Sequence, residues 1–193
     1  MRLPTLVILA AIGIGRAEAH PHVWIDARLE LGLDQARLSA VTVVWRFDEL
    51  FSRYVESEFD SDGDRRFSAE ETALIEREAF ASVAELGFLT HLRVAGELQP
   101  LRVYRDFSAT LEDNSVSYRF TLPVMPPVEL ATRPTSIALY DETYYIDVGL
   151  TDADPVQLDA ASGCGFSIAH DGVHPIYFGL VEPIAVILSC PGP

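Results

Sequence analysis

The run His22-Val23-Trp24-Ile25-Asp26-Ala27-Arg28-Leu29-Glu30-Leu31-Gly32-Leu33 sets its residues alternately on two faces. Val23, Ile25, Ala27, Leu29, Leu31 and Leu33 fall on one face, and His22, Trp24, Asp26, Arg28 and Glu30 on the other. Successive side chains of an extended chain point to opposite sides, so a period of two predicts a half-buried strand. Leu38 to Phe47 repeats the pattern, with Val41, Val43 and Trp45 alternating with Thr42, Val44 and Arg46, and the two runs together predict a hairpin.

The period then changes. Phe47, Leu50, Phe51, Tyr54, Val55 and Phe59 are spaced three and four apart, which gives an amphipathic helix. After a short acidic stretch the helical spacing resumes with Ile75, Ala79, Phe80, Val83 and Leu86, and Gly87 is placed to close it. Beyond Gly87 the pattern is strand-like over Leu89 to Val94, Leu98 to Leu111, Ser115 to Leu122, Ser136 to Leu139 and Tyr144 to Leu150, with turns at Gly96 and Glu112-Asp113-Asn114. Pro123 to Pro134 holds four prolines and reads as an irregular crossing. A last strand pair is expected between Gly165 and Ser189. The fold class is therefore α+β: one mostly antiparallel β-sandwich or barrel-like domain over residues 20–193, with a helical insertion at 47–87 resembling an EF-hand helix–loop–helix.

Met1-Arg2, the apolar run Leu6 to Ile14 and Ala17-Glu18-Ala19 have the layout of a signal peptide, residues 1–19, with cleavage leaving His20 first. The run is too short to span a bilayer. This reading places the protein in the periplasm with no membrane-inserted segment after cleavage. The chain carries 14 Lys+Arg against 29 Asp+Glu, a net charge of −15. Loss of Arg2, Arg16 and Glu18 would leave 12 against 28, about −16. Phosphate backbones and anionic lipids repel such a chain, so nucleic acid is excluded as a partner and cations are favoured. The two cysteines, Cys164 and Cys190, read as one disulfide in an exported protein, a thiolate metal site being the alternative.

The most specific motif is Asp60-Ser61-Asp62-Gly63-Asp64-Arg65-Arg66-Phe67-Ser68-Ala69-Glu70-Glu71, which has the spacing of a twelve-residue calcium loop. A hard cation needs many oxygens at once. Asp60, Asp62 and Asp64 take positions one, three and five, the Arg66 carbonyl position seven, Ser68 position nine and Glu71 the bidentate position twelve. Position six ordinarily holds a left-handed glycine; Arg65 stands there, at a cost of about 1–2 kcal/mol. The competing reading is a solvated acidic turn in which Ser68 and Glu71 form a capping box for the second helix, and both can hold together.

His20 and His22 would project from one strand face roughly 6 to 7 Å apart, with Asp26 farther along it. Two imidazoles and a terminal amine suit nickel, cobalt, zinc or copper better than calcium. A frayed polar terminus is the alternative. His170 and His174 resemble an i, i+4 metal pair, but Asp171-Gly172 between them predicts a two-residue hairpin turn that sends the imidazoles to opposite faces. His91 reads as a surface or satisfied core residue. Tyr140 to Asp147 reads as a hairpin with an acidic turn. No G-x-S-x-G, H-E-x-x-H or phosphate-cradling glycine loop occurs, and no catalytic residue is assigned, so a binding protein rather than an enzyme is expected.

The leader followed by His20 to Asp26, together with Trp45 to Phe51, the acidic loop with Ser68 to Glu71, and Tyr140 to Asp147, resembles the DUF1007 family over nearly all of the processed chain. The resemblance implies a periplasmic component of transport systems whose genes lie beside membrane permeases of the nickel/cobalt type. A metal-transport accessory with a membrane permease as partner is the expectation it brings. Two other readings remain open: a calcium-dependent interaction module without transition-metal cargo, and a copper carrier of the CopC-like sandwich type.

Overall fold

The computed structural model describes residues 21–158 and 162–192; the leader and His20 lie outside the described residues. The first alternating run forms β1 (Val23–Asp34) and the second β2 (Arg37–Phe47), paired antiparallel with Ala27 opposite Trp45 and Leu31 opposite Val41. Their apolar faces are buried, Ala27, Leu29, Val41 and Val43 completely. The helical spacing gives α1 (Glu49–Phe59), and the acidic loop leads into α2 (Ala69–Ile75). The remaining strands are β3 (Thr90–Val94), β4 (Glu97–Gln99), β5 (Arg105–Glu112), β6 (Ser115–Glu129), β7 (Thr135–Leu139), β8 (Ile146–Leu150), β9 (Val156–Gln157), β10 (Gly165–His170) and β11 (Ile184–Ser189).

They form two sheets. One runs β5-β6-β2-β1-β8, with β9 also on β1; the other runs β10-β11-β7-β3-β4. β8 and β9 pair with β1 in parallel, and every other pairing is antiparallel. Apolar residues from both sheets join one contiguous core, which fits a sandwich. Neither sheet closes on itself among the described residues, so the barrel alternative is removed.

Asp48 and Ser52 fasten α1 to the sheet. Asp48 caps α1: its Oδ1 accepts from the amides of Leu50 and Phe51, while Oδ2 accepts from the amide of Trp24 on β1 at 3.0 Å. Ser52, fully buried, accepts from the Val116 amide of β6 at 2.9 Å and donates to the Phe47 carbonyl. The chain after α2 supplies the core plug. Phe80 lies 4.7 Å from Phe120 and 4.5 Å from Phe107, and Trp45 lies 4.7 Å from Phe120. Burying each such ring stabilises the fold by about 1.5–3 kcal/mol.

Four local expectations change. The second helix does not continue to Gly87; it widens into a π-helical turn at Glu76–Phe80 and then tightens into 3-10 geometry over Ala81–Leu89. Gly87 and Phe88 both turn left-handed there, and Phe88 accepts φ +55° because the turn buries its ring completely, 5.7 Å from Phe80. Leu98 to Leu111 is not one strand, since β4 ends before Pro100 and β5 starts at Arg105. The proline-rich stretch from Pro123 is not a crossing between strands but part of β6, which runs on to Glu129; the irregularity expected there is present, since Pro123 faces Ala40 and Val128 faces Leu38, so the residues between slip out of the β2 ladder. β5 pairs with β6 only as far as Thr121, so Pro126 and Pro127, set between the two positions that pair with β2, have no ladder partner on either side and their missing N–H groups leave no ladder bond unmade. Finally, Tyr140 to Asp147 is not a hairpin. It carries the chain from β7 in one sheet to β8 in the other. The buried Asp141 organises this crossing by accepting from the Thr143, Tyr145 and Ile146 amides and the Thr143 hydroxyl.

Candidate metal centre

Between α1 and α2, carboxylate oxygens of Asp60, Asp62 and Glu71 lie within 4.8 Å of one another, and among the described residues this is the one cluster of its kind. Asp60 follows the last turn of α1, and its amide still donates to the Glu56 carbonyl. Its side chain then gathers the loop, accepting from the Gly63 amide at 3.0 Å through Oδ1 and from the Arg65 amide at 2.9 Å through Oδ2. Asp62 Oδ1 accepts from the Asp64 amide at 3.1 Å. This short-range bonding bends six residues into a turn and brings the Asp60 and Asp62 carboxylates together.

Glu71 reaches the cluster from α2. Ser68 caps that helix in a capping box, its hydroxyl accepting from the Glu71 amide while its own amide donates to Glu71 Oε2 at 2.9 Å. The other oxygen, Oε1, accepts from the Ser61 amide at 2.6 Å and the Ser61 hydroxyl at 2.7 Å. These donors, the Ser61 hydroxyl foremost, hold the Glu71 pKa down at about 2. Glu71 is therefore both helix cap and anionic acceptor, and the capping box expected of Ser68 and Glu71 is present while the same carboxylate stands beside those of Asp60 and Asp62. Three carboxylates with oxygen donors suit a hard divalent cation such as calcium.

Arg65 takes the left-handed conformation that position six demands, with φ +64°. Its guanidinium spans outward, to Glu56 Oε1 of α1 at 3.1 Å and to Asn114 Oδ1 in the β5–β6 turn at 2.5 Å. Asp64 lies outside the converging trio, accepting instead from the Arg66 amide at 2.8 Å. Sequence reasoning missed Ser61 and Asn114. Ser61 occupies a position where the loop pattern tolerates any residue, and Asn114 is remote in sequence.

His22 lies exposed in the bend just before β1, its ring centroid 4.8 Å from that of Tyr145 and its amide donating to the Tyr145 carbonyl at 2.9 Å. Asp26 follows on the exposed face of β1, opposite Arg46 of β2 and Gly149 of β8. His20 falls outside the described residues. The tight hairpin expected at Asp171-Gly172 is replaced by a longer excursion, because His170 pairs with Ile184 and the Asp171 amide donates to the Pro183 carbonyl. The two imidazoles take separate partners: His170 Nδ1 meets the Glu182 carbonyl at 3.2 Å, and His174 Nδ1 meets Asp171 Oδ2 at 2.9 Å. His91 stacks on Tyr140 at 3.6 Å with Nε2 at 3.0 Å from the Tyr140 carbonyl, beside a cleft of about 320 Å³. Cys164 and Cys190 are joined as a disulfide, which removes the thiolate alternative.

A two-sheet β domain carrying an acidic loop between two helices, with three carboxylates that could hold a metal ion, is the class that this fold and site define. The chain belongs to the DUF1007 family, described as a protein of unknown function, whose model matches residues 5–175. It is similar to an "uncharacterized 15.5 kDa protein in trpE 3′ region" of Spirochaeta aurantia, 26% identical over 110 residues that cover 57% of this chain and 78% of the relative. It is also similar to an "uncharacterized protein" of Haemophilus influenzae, 22% identical over 146 residues covering 75% and 69%.

Proposed function

We propose that the protein is a periplasmic divalent-cation-binding accessory of a metal transport system. The loop at residues 60–71 takes calcium or a similar hard cation. His20 and His22 receive a transition metal of the nickel, cobalt, zinc or copper group, and a membrane metal permease is the partner. The convergence of Asp60, Asp62 and Glu71 within 4.8 Å carries the cation-binding part of this reading. The net charge of −15 supports it, because it raises the local cation concentration. A disulfide in the fold and the lack of any helix among the described residues long and apolar enough to cross a membrane are consistent with an exported domain. Metal entering the loop would take the place of the Ser61 hydroxyl on Glu71 and bind α2 to the end of α1.

The test is a calcium titration of the processed, dialysed chain followed by thermal melting. A cation at about a hundred times its Kd stabilises the fold by about 2.7 kcal/mol, which raises Tm by roughly 5–11 °C for a domain of this size. Asp60→Ala with Glu71→Ala removes the shift. In a parallel calorimetric titration, His20→Ala with His22→Ala removes tight uptake of nickel, cobalt, zinc or copper. A processed chain that takes up none of these ions overturns the reading.

A further inference from the structure

The last cationic side chain is Arg133; residues 134–193 contain eight Asp and Glu and neither Lys nor Arg. This acidic portion also exposes large apolar side chains. Three of them, Val173, Phe178 and Leu180, belong to the excursion between β10 and β11 and are 80%, 95% and 71% exposed. The excursion is folded. Ile176 and Val181 bridge each other, the Ile176 amide donating to the Val181 carbonyl at 2.8 Å, and a 3-10 turn at Tyr177–Gly179 caps the bridge. Ile176 is buried in a small cluster of its own with Ala138, Tyr140 and Ala185. The Tyr177 amide donates to the Glu142 carbonyl at 3.3 Å, which ties the tip to the crossing between the sheets.

On this support Phe178 stands almost wholly in water with φ +60°, a conformation that disfavours a bulky residue. Its ring centroid lies 5.5 Å from that of Tyr177, but neither burial nor backbone geometry calls for a phenylalanine there, and strain at so exposed an aromatic points to a task outside the fold. Acidic groups surround the base: Asp171 and Glu182 stand where the excursion leaves and rejoins the strands, and Glu142 touches it through its carbonyl. Phe178 and Leu180 also lie past residue 175, where the family match ends.

We propose that the excursion at residues 171–183 is a docking knob, with Phe178 and Leu180 as contact residues, for a cationic protein segment in which apolar side chains are flanked by Lys or Arg. Apolar contact supplies the hold, and the excess of acidic over basic side chains in residues 134–193 selects the partner and speeds its approach. An anionic lipid surface is repelled by the same charges. The knob is separate from the acidic loop and does not depend on metal binding.

The processed chain is titrated with a labelled amphipathic peptide of Leu and Lys, with its Leu and Glu counterpart, and with phosphatidylcholine vesicles. The Leu/Lys peptide binds, more weakly as salt rises, and Phe178→Ser with Leu180→Ser weakens it about tenfold or more. Leu98→Ser, which removes a half-exposed leucine from β4, leaves binding unchanged. Phe178→Gly separates docking from folding: glycine suits φ +60°, so Tm rises by a few degrees while binding falls. Undiminished binding by the double variant overturns the proposal. So does equal binding of the Leu/Glu peptide, knob-dependent uptake by the vesicles, or a lower Tm in Phe178→Gly.

Discussion

Arg65 offers a test in which two opposing terms can be separated. Its guanidinium links the acidic loop to Glu56 and Asn114. With the two side chains of the ion pair 56% and 26% exposed, the pair contributes about 0.3–0.5 kcal/mol. The exposed bond to Asn114 adds about 0.5–1 kcal/mol. Arg65→Ala loses both and keeps the φ of +64°, so it costs about 1–1.5 kcal/mol and lowers Tm by roughly 2–6 °C. Arg65→Gly loses the same contacts but recovers about 1–2 kcal/mol of left-handed cost, less about 0.5–1 kcal/mol for the freer unfolded chain. It should melt within a few degrees of the parent and above Arg65→Ala. Melting in a chelator keeps cation linkage out of the comparison. If the glycine and alanine variants melt together, the left-handed backbone carries no cost at this position. If the alanine variant melts with the parent, the bridge to Glu56 and Asn114 contributes nothing.

Three further outcomes follow from the packing. Ser52→Ala leaves the buried Val116 amide without its acceptor and lowers stability by about 1–3 kcal/mol in denaturant unfolding. Replacing Cys164 and Cys190 by serine opens a loop with a sequence separation of 26 and costs about 3.5 kcal/mol in the chain-entropy description, read as a Tm drop of roughly 7–14 °C. Burial lowers the His91 pKa below 6.5, so its contribution is complete above that value and is lost as pH falls through the folded value. His91→Gln should therefore flatten the loss of stability as pH falls below 6.5. Glu71 acts lower on the scale: its contribution is complete above 4.5 and disappears only as pH falls toward about 2.

The sequence was most readable where one physical rule dominated. Strict alternation placed β1 and β2 to within a residue or two, and three-four spacing placed α1. The acidic loop was legible from spacing because its turns are made by residues two to five apart, and the Ser68 to Glu71 box was visible for the same reason. Failures came where distant partners decide. The prolines after Leu122 fall inside β6 rather than beyond it, because Val128 and Glu129 pair again with Leu38 and Arg37 of β2 after the slip, and those partners are distant in sequence. The crossing at Asp141 is set by the parallel seat of β8 on β1, which no local pattern encodes. The Arg65 bridge needs Asn114, brought near only by the β5–β6 turn.

The parallel seating of β8 and β9 has a temporal consequence for a chain that emerges amino end first. β1 and β2 can zip together at once, but the opposite flank of β1 waits for Ile146 and its neighbours, about 120 residues later, and for Val156 after them. Throughout that interval a row of unsatisfied amides and carbonyls lies open to any passing strand. A polypeptide interrupted before Ile146 should consequently self-associate, and a chaperone that shields the nascent amino-terminal hairpin would have its greatest effect before the late strands arrive.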